Sequence, residues 1–552
     1  MLLALTITKF IIIALLAGYL IRRLAVSISE LGPVFSFVKR KEMSVLVWGF
    51  VLVFATMVFY QSYWQLLISN EHFEETKKLH DPRPWIIEAT TLKGTIYDHN
   101  HDPEKVFASY KQGKQGQLPR RHYPLGEATS HIIGYSDVER DKAGLEKIYF
   151  ERLMGRTDTT PEEKENLTNN RYYRLRPVGN DIVLTLDYDL QKAAYEAFGD
   201  NKGAVVAIQP QTGALIVLVS APSFHPDSVS VDAAWVRIVK DNDGRRLYNR
   251  ALKGRYPPGS TFKAMVAAAA LENEIDPLWN IGRDGYRPPG VQRKRVFDHE
   301  RAAYAGRGQT WGGHGRMDMT KALVKSSNAY FAQLGVTVGD SAMHAIVERF
   351  GYDQPVLWNT SNPALAEGLV TFRSSFPPTA NAHELAWSSI GQEKVLATPL
   401  QLAMTAAAIA NDGVLMRPML EVREEPQVWN RVVSAETARK VRKMMREVVW
   451  AQGGTAWRLR MNELEIGGKT GTAELTEVEK LPDGTVQKRM VNNAVFISFA
   501  PVDNPQLAVA VVAEGAGYGG SAAAPIAKEI YQKALEIGFF EESESTNGES
   551  AN

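Results

Sequence analysis

The segment Arg255–Met265, RYPPGSTFKAM, places two prolines and a glycine directly before a serine, and a lysine three residues after that serine. The apolar, alanine-rich run AMVAAAALEN follows at once and predicts a buried helix. The prolines give this helix a rigid start. Because positions i and i+3 of a helix lie on one face, Ser260 and Lys263 are expected to meet in its first turns.

A serine hydroxyl is a weak nucleophile until a neighbouring group takes its proton, so this pair suits a lysine-activated serine. The unpaired backbone N–H groups of a first helical turn can also help to hold an anion. Taken alone, Ser-x-x-Lys is a weak signal, because it arises by chance about once or twice in a chain of this length and ordinary composition. On this pattern alone, an N-cap serine followed by a solvated lysine is the better explanation.

A second polar cluster lies in KALVKSSNAYFAQLG, where Ser326 and Asn328 form Ser-x-Asn inside an apolar, helical run. A serine and an amide at a helix junction could relay a proton and bind a substrate amide. A helix N-cap explains the same residues without any chemistry, and is favoured when the cluster is taken alone.

The third cluster, EIGGKTGTAE, follows two glycines and precedes a strand-like segment. Lys469 could supply a cation for a substrate carboxylate, and Thr470 and Thr472 could supply hydroxyls. Gly471 would let another backbone approach closely. The alternative is an ordinary glycine-rich hairpin edge, which is less favoured because a glycine inside a strand usually marks a bulge or a close contact.

The three motifs occur in the order Ser-x-x-Lys, Ser-x-Asn, Lys-Thr-Gly, which is the order known for class A β-lactamases and penicillin-binding proteins. The segments PPGSTFK, VKSSNAYF, SSIGQEKVLATPLQLA and GGKTGTAE closely resemble the transpeptidase domain of penicillin-binding proteins. LKGTIYD and HIIGYSDVERDKAGLEKIY resemble the pedestal domain of the class B members. The resemblance covers roughly residues 85–537, and departs at Lys93, where that family usually has an arginine before the glycine.

The resemblance implies an α+β fold of the penicillin-binding and serine β-lactamase type, with an antiparallel sheet and a helical subdomain. The sequence independently favours α+β, since strand-like segments such as GAVVAIQPQTGALIVLVSAP and NNAVFISFAP flank a helical middle. We expect a pedestal domain over 85–176 and a transpeptidase domain over 177–540. The acidic tail 541–552 is expected to be disordered.

The resemblance also implies a peptidoglycan D,D-transpeptidase. Ser260 would attack the penultimate D-Ala carbonyl of a stem peptide, and Lys263 would accept its proton if burial and a nearby cation such as Lys469 lower its pKa. Ser326 would relay the proton to the departing D-Ala. β-Lactams would trap Ser260. The resemblance further implies that Asn328 holds the substrate amide. It implies that the terminal carboxylate is bound by Lys469, Thr470 and Thr472. The oxyanion hole would be formed by the backbone N–H groups of Ser260 and Thr472.

Two apolar segments at the N-terminus, 1–24 and 45–68, predict membrane helices, since about 20 apolar residues span a bilayer. The second has no charge and carries aromatic residues suited to the membrane interface. The Lys and Arg residues between them indicate a cytoplasmic loop, which places everything after Ile68 outside the cytoplasm. A buried core helix is the alternative for the second segment, and the first could merely lie on the membrane.

Composition narrows the function further. The 552-residue chain has no cysteine, which excludes thiolate chemistry, and its 63 basic and 62 acidic residues give no global attraction to nucleic acid. The 11 histidines show no metal-ligand spacing, so we predict neither metal nor cofactor. His314, in WGGHGRMDM, could act as a base, but a plain loop histidine is favoured.

Other functions fit less well. A class A β-lactamase would carry a Glu-x-Glu-Leu-Asn loop, which is not found here, and a bifunctional synthase would need a glycosyltransferase domain for which the space is too short. A D,D-carboxypeptidase or a β-lactam sensor with the same acylation site remain the alternatives. The class B resemblance implies as partners stem peptides, lipid-linked nascent glycan and a membrane glycosyltransferase of the SEDS type.

Overall fold

The computed structural model divides the chain into two units, Met1–Ile86 and Ile87–Asn552, which are described separately here. The structure describes residues 19, 23, 40–63, 88, 91–111, 119–137, 140–155, 179–292, 294–480 and 486–540.

The first unit contains helix α1, Arg40–Tyr63. Large apolar side chains along it, such as Trp48 and Phe54, are exposed. Within the residues whose side chains the structure describes, no helix is both long enough and apolar enough to cross a membrane. The segment 1–24 lies outside the described residues except at two positions, and 45–68 lies partly outside them, so both spans stay predictions.

The strands of the second unit, within its described residues, follow in chain order. They are β1 (Ile96–Tyr97), β2 (Val106–Lys111), β3 (Arg120–His122), β4 (Tyr135–Asp137), β5 (Asp141–Ala143), β6 (Ile182–Val183), β7 (Lys202–Ile208), β8 (Leu215–Ala221), β9 (Trp279–Gly282), β10 (Gly313–Met317), β11 (Val414–Met416), β12 (Val428–Arg431), β13 (Gly467–Lys480), β14 (Val486–Ala500) and β15 (Leu507–Glu514).

The helices lie between these strands. They are α2 (Gly144–Ile148), α3 (Phe150–Leu153), α4 (Tyr188–Phe198), α5 (Asp232–Lys240), α6 (Arg250–Lys253), α7 (Lys263–Glu272), α8 (His299–Ala305), α9 (Met319–Lys325), α10 (Asn328–Val338), α11 (Asp340–Arg349), α12 (Pro363–Gly368), α13 (Ala382–Ser388), α14 (Pro399–Ala410), α15 (Ala435–Trp450) and α16 (Ala524–Glu536).

The central sheet has five antiparallel strands in the order β13-β14-β15-β7-β8. Strands from both ends of the domain therefore lie side by side, with Val509 of β15 opposite Ala207 of β7. Nearly every residue of β7, β8 and β15 is buried, as expected for strands covered on both faces. Helices α14 and α16 pack against this sheet. The prediction of an α+β fold, with strands from both ends of the domain around a helical middle, is confirmed.

Helix α7 lies at the centre of the helical part, where Lys263 to Ala270 are all buried. It packs against α10, α11 and α15. Small alanine side chains favour the helix and allow neighbouring helices to approach on every side. The predicted buried helix is therefore present, and it carries Lys263 into the interior.

A four-stranded sheet, in the order β3-β2-β1-β6, forms the part nearest the start of this unit. Arg121 Nη1 donates to the carbonyl oxygen of Gly94 at 2.8 Å, and its Nε donates to Glu146 Oε1 at 2.6 Å. Lys93 Nζ lies 2.9 Å from Glu88 Oε1. Lys93, which departs from the family pattern, is thus held by the carboxylate of Glu88. The limits of the two domains, 85–176 and 177–540, stay predictions.

Candidate active site

Ser260 lies in a 3-10 turn, Gly259–Phe262, directly before α7. The sequence predicted a helix beginning at the serine, whereas regular α-helix begins three residues later. Gly259 has φ +54°, a left-handed conformation that favours glycine, and its N–H donates to Gly391 O at 2.9 Å. This glycine and the preceding proline set the turn that carries Ser260, which is partly exposed.

Lys263 is the first residue of α7, and its side chain is fully buried. Its Nζ donates to Ser326 O at 2.6 Å and to Asn328 Oδ1 at 2.6 Å. A longer contact of 3.4 Å reaches Ser326 Oγ. The lysine of the first motif therefore contacts both polar residues of the second.

The Ser-x-Asn motif lies at a junction between two helices, as the sequence suggested. Helix α9 ends at Lys325, and Ser326 caps it with φ +56°. Ser327 then begins α10 by accepting the N–H of Tyr330. The left-handed residue turns the chain, so that Ser326 and Asn328 both face Lys263.

Lys469 belongs to β13 and is also fully buried. Its Nζ donates to Ser326 Oγ at 2.9 Å and to Thr470 O at 2.8 Å. Two buried lysines from distant parts of the chain thus converge on one serine hydroxyl. This convergence brings the three motifs into a single site.

The rest of the third motif packs against the turn that carries Ser260. A Cβ on Gly471 would lie 2.8 Å from Pro258 O, which explains why this position has no side chain. Thr472 O accepts a hydrogen bond from Gln392 Nε2 at 3.3 Å. The hydroxyl of Thr470 instead donates to Thr455 Oγ1 at 2.8 Å. Thr470 is also buried, with 7% of the residue exposed. Its predicted part in binding a carboxylate has no direct support from this contact.

Sequence reasoning missed two acidic residues beside this site. Asp298 is buried and accepts from Ser327 Oγ at 3.0 Å and from Ala329 N at 3.0 Å. Glu300 lies on α8, its Oε2 is 3.7 Å from Nε2 of His314, and its negative charge acts to raise the pKa of Lys263. Both lie in VFDHERAAY, which has no recognisable pattern, so no signal in the sequence pointed to them.

Burial lowers the pKa of Lys263 to about 7, while the negative charges of Asp298 and Glu300 act in the opposite direction. Burial also lowers the pKa of Lys469 well below its usual value, and the charge of Lys263 lowers it further. The predicted lowering for Lys263 therefore arises from burial. Because the two lysines lie close together in a buried site, the state in which both are positively charged is disfavoured.

The rate of acylation by a penicillin is expected to rise with pH through about 7 and to level off above it. The reason is that Lys263 can accept the serine proton only when neutral, and the neutral fraction grows as pH passes its pKa. Stopped-flow or quenched labelling from pH 5 to pH 9 measures this rise in the acylation rate. Both ends of the range lie about two pH units from the expected midpoint of the rise. A rate that is flat over this range would contradict a lysine base.

Gly259→Ala is expected to slow acylation by at least about tenfold and to lower thermal stability, because left-handed backbone costs about 1–2 kcal/mol for other residues. The new Cβ would also lie 2.5 Å from Thr472 O, and so would push β13 away from Ser260. Gly290→Ala is the matched control, since Gly290 has φ +76° and nothing within 4 Å of the added atom. Equal effects of the two substitutions on acylation would refute the role of this close contact.

Comparison with known proteins agrees with this geometry. Residues 203–532 match the family model described as the penicillin binding protein transpeptidase domain. The peptidoglycan D,D-transpeptidase MrdA of Acinetobacter baumannii is 33% identical over 454 residues, which are 74% of this chain and 65% of that protein. PbpA of Mycolicibacterium smegmatis, also named a peptidoglycan D,D-transpeptidase, is 32% identical over 449 residues, 76% of this chain and 84% of that protein.

Solved structures lead to the same family. Penicillin-binding protein A of Mycobacterium tuberculosis, in a ceftriaxone acyl-enzyme complex, superposes with a TM-score of 0.68 at 27% identity, over 81% of this chain and 99% of that one. PBP2 of Pseudomonas aeruginosa, in complex with WCK 5153, gives a TM-score of 0.63 at 28% identity. The match covers 81% of this chain and 96% of that one. The chain belongs to the penicillin-binding protein transpeptidase family.

Proposed function

We propose that this chain is a peptidoglycan D,D-transpeptidase that cross-links stem peptides through an acyl-enzyme on Ser260. The observation that carries the proposal is the convergence of Lys263 and Lys469 on Ser326, at 3.4 Å and 2.9 Å from its hydroxyl. A buried amine with a lowered pKa, one turn from a partly exposed serine, is the arrangement that activates a serine nucleophile. Relatives named for this activity support the proposal.

In the first half-reaction, Ser260 Oγ attacks the carbonyl carbon of the penultimate D-Ala as Lys263 Nζ takes the hydroxyl proton. The N–H groups of Ser260 and Thr472 would stabilise the oxyanion of the tetrahedral intermediate. Its collapse breaks the amide C–N bond and leaves an ester on Ser260. The proton returns from Lys263 through Ser326 to the departing amine, and D-Ala leaves.

Substrate binding would decide which of the two lysines, Lys263 or Lys469, is positively charged. The terminal carboxylate of the stem peptide, bound beside Lys469, would favour the charged form of that lysine. A charged Lys469 in turn favours the neutral form of Lys263, because the two share a buried site. The substrate thus helps to prepare the base that the first step needs. Asn328, which contacts Lys263, would hold the substrate amide.

In the second half-reaction, an amine of a neighbouring stem peptide attacks the ester carbon. The C–O bond to Ser260 breaks as the cross-linking amide forms, and the proton lost by the amine passes through Lys263 to Ser260 Oγ. A defined pentapeptide donor, incubated with and without an amine acceptor and followed by mass spectrometry, tests this step. The proposal predicts the cross-linked amide and free D-Ala. Hydrolysed tetrapeptide alone would indicate a carboxypeptidase, and an acyl-enzyme without turnover would indicate a sensor.

We further propose that the segment 45–68 anchors the chain in the cytoplasmic membrane, with the catalytic domain outside the cytoplasm. The support is its length, its lack of charge and the basic residues before it. The resemblance of LKGTIYD and HIIGYSDVERDKAGLEKIY to class B members supports a further proposal, that the chain acts beside a membrane glycosyltransferase of the SEDS type. Crosslinking in membranes tests that partner, and recovery of no such protein would count against it.

A further inference from the structure

A cluster of charged side chains beside Lys263 takes no part in the steps above. His314 Nε2 lies 3.6 Å from Asp298 Oδ2 and 3.7 Å from Glu300 Oε2. Trp311 packs edge-on against the imidazole, with ring centroids 4.8 Å apart. The side chains of Asp298 and His314 are buried, whereas that of Glu300 is partly exposed. Within the described residues, no group of three such side chains is arranged to hold a metal ion.

The Asp298 carboxylate joins this cluster to the Ser-x-Asn motif. Ser327 Oγ donates to both of its oxygens, at 3.0 and 3.1 Å, and Ala329 N donates to Oδ1 at 3.0 Å. These two donors come from the residues on either side of Asn328. A carboxylate that accepts several hydrogen bonds in a buried place holds its partners strongly. The backbone around Asn328 is therefore fixed from both sides.

We propose that Asp298 is a positioning residue that holds Ser326 and Asn328 against Lys263 and that, together with Glu300, sets the charge balance around this lysine. The proposal deepens the function described above and rests on it. Asn328 is additionally tied down through its Nδ2, which donates to Phe297 O at 3.2 Å. The residues just before α8 thus build one wall of the site.

The charged and titratable groups around Lys263 come from several elements. Asp298 before α8 and Glu300 on α8 favour the charged form of Lys263, and the charge of Lys263 in turn lowers the pKa of Lys469 on β13. His314 on β10 faces both carboxylates. The ring of Phe331 lies 5.9 Å from Lys263 Nζ. Removing one negative charge from this set favours the neutral amine, and so extends acylation to lower pH.

The test is the pH profile of penicillin acylation in three variants. D298N keeps the size of the side chain but can no longer accept hydrogen bonds at both of its ends. We expect its plateau rate to fall about tenfold and the midpoint of its acid limb to fall by about one pH unit. E300Q is expected to lower the midpoint while its plateau stays near that of the wild type. S327A is expected to lower the plateau several-fold without moving the midpoint.

Folding of each variant is checked by thermal unfolding. A folded D298N with the wild-type plateau and midpoint overturns the inference. If D298N does not fold, an unmoved midpoint in E300Q overturns the electrostatic part, and a wild-type plateau in S327A overturns the positioning part. A wild-type protein that is never acylated on Ser260 would instead refute the proposed function, so the two failures are distinguishable.

Discussion

Ser260→Ala is expected to abolish covalent labelling of this protein by a penicillin. The substitution removes the only atom that can form the ester, and leaves the turn Gly259–Phe262 and the buried α7 in place. The loss should be on the order of 10⁴-fold or more, which is below detection on a gel. Labelling of the purified protein with a fluorescent penicillin, followed by denaturing electrophoresis, measures it.

Ser230→Ala is the control for this experiment, because Ser230 is an exposed serine whose hydroxyl donates to the carbonyl oxygen of Asp227. It should be labelled as the wild type is. Equal labelling of the Ser260→Ala variant and the wild type would end the mechanism, whatever the geometry of the lysines. Labelling retained only without denaturation would indicate tight non-covalent binding, and would also contradict an ester on Ser260.

Lys263→Arg is expected to slow acylation by about 10³-fold, although it keeps the positive charge. Lysine can lose its proton when buried, whereas the guanidinium of arginine stays charged in proteins. Burial already lowers the pKa of Lys263 to about 7, and no comparable neutral form exists for arginine. Second-order rate constants for penicillin acylation, measured above pH 8, give the ratio.

Two further variants interpret this result. Lys263→Met removes the amine while keeping an unbranched apolar side chain, and should be slowed to a similar degree. Lys321→Arg, on the exposed face of α9, should acylate at the wild-type rate. If Lys263→Arg instead kept its rate within tenfold of the wild type, the side chain would act only as a charge, and another group would have to take the serine proton.

The sequence could point to the residues of the proposed site because its main parts are short and local. Ser260 and Lys263 are three residues apart, and Ser326 and Asn328 two apart, so each pair is positioned by one turn of chain. The convergence of these pairs with Lys469 required tertiary structure. It was predicted only through resemblance to a family, and the structure shows it as hydrogen bonds to Ser326.

What the sequence did not predict depends on contacts between segments that lie far apart in the chain. Asp298 reaches Ser327, and Gln392 reaches Thr472, across large separations in sequence. The left-handed backbone of Ser326 also escapes any analysis of apolar periodicity, which gives no position for the end of α9 within the apolar run. Hydrophobic patterns predict which faces are buried, but not where a polar residue turns the chain.

The most direct test of the account is the position of the penicillin adduct. Trypsin should release Tyr256–Lys263, YPPGSTFK, as a single peptide after cleavage at Arg255 and Lys263. Fragmentation by mass spectrometry should place the added mass of one opened penicillin on Ser260 in the wild-type protein. An adduct on Thr261, on Ser326 or on any other residue, with Ser260 unmodified, would contradict the assignment of the nucleophile.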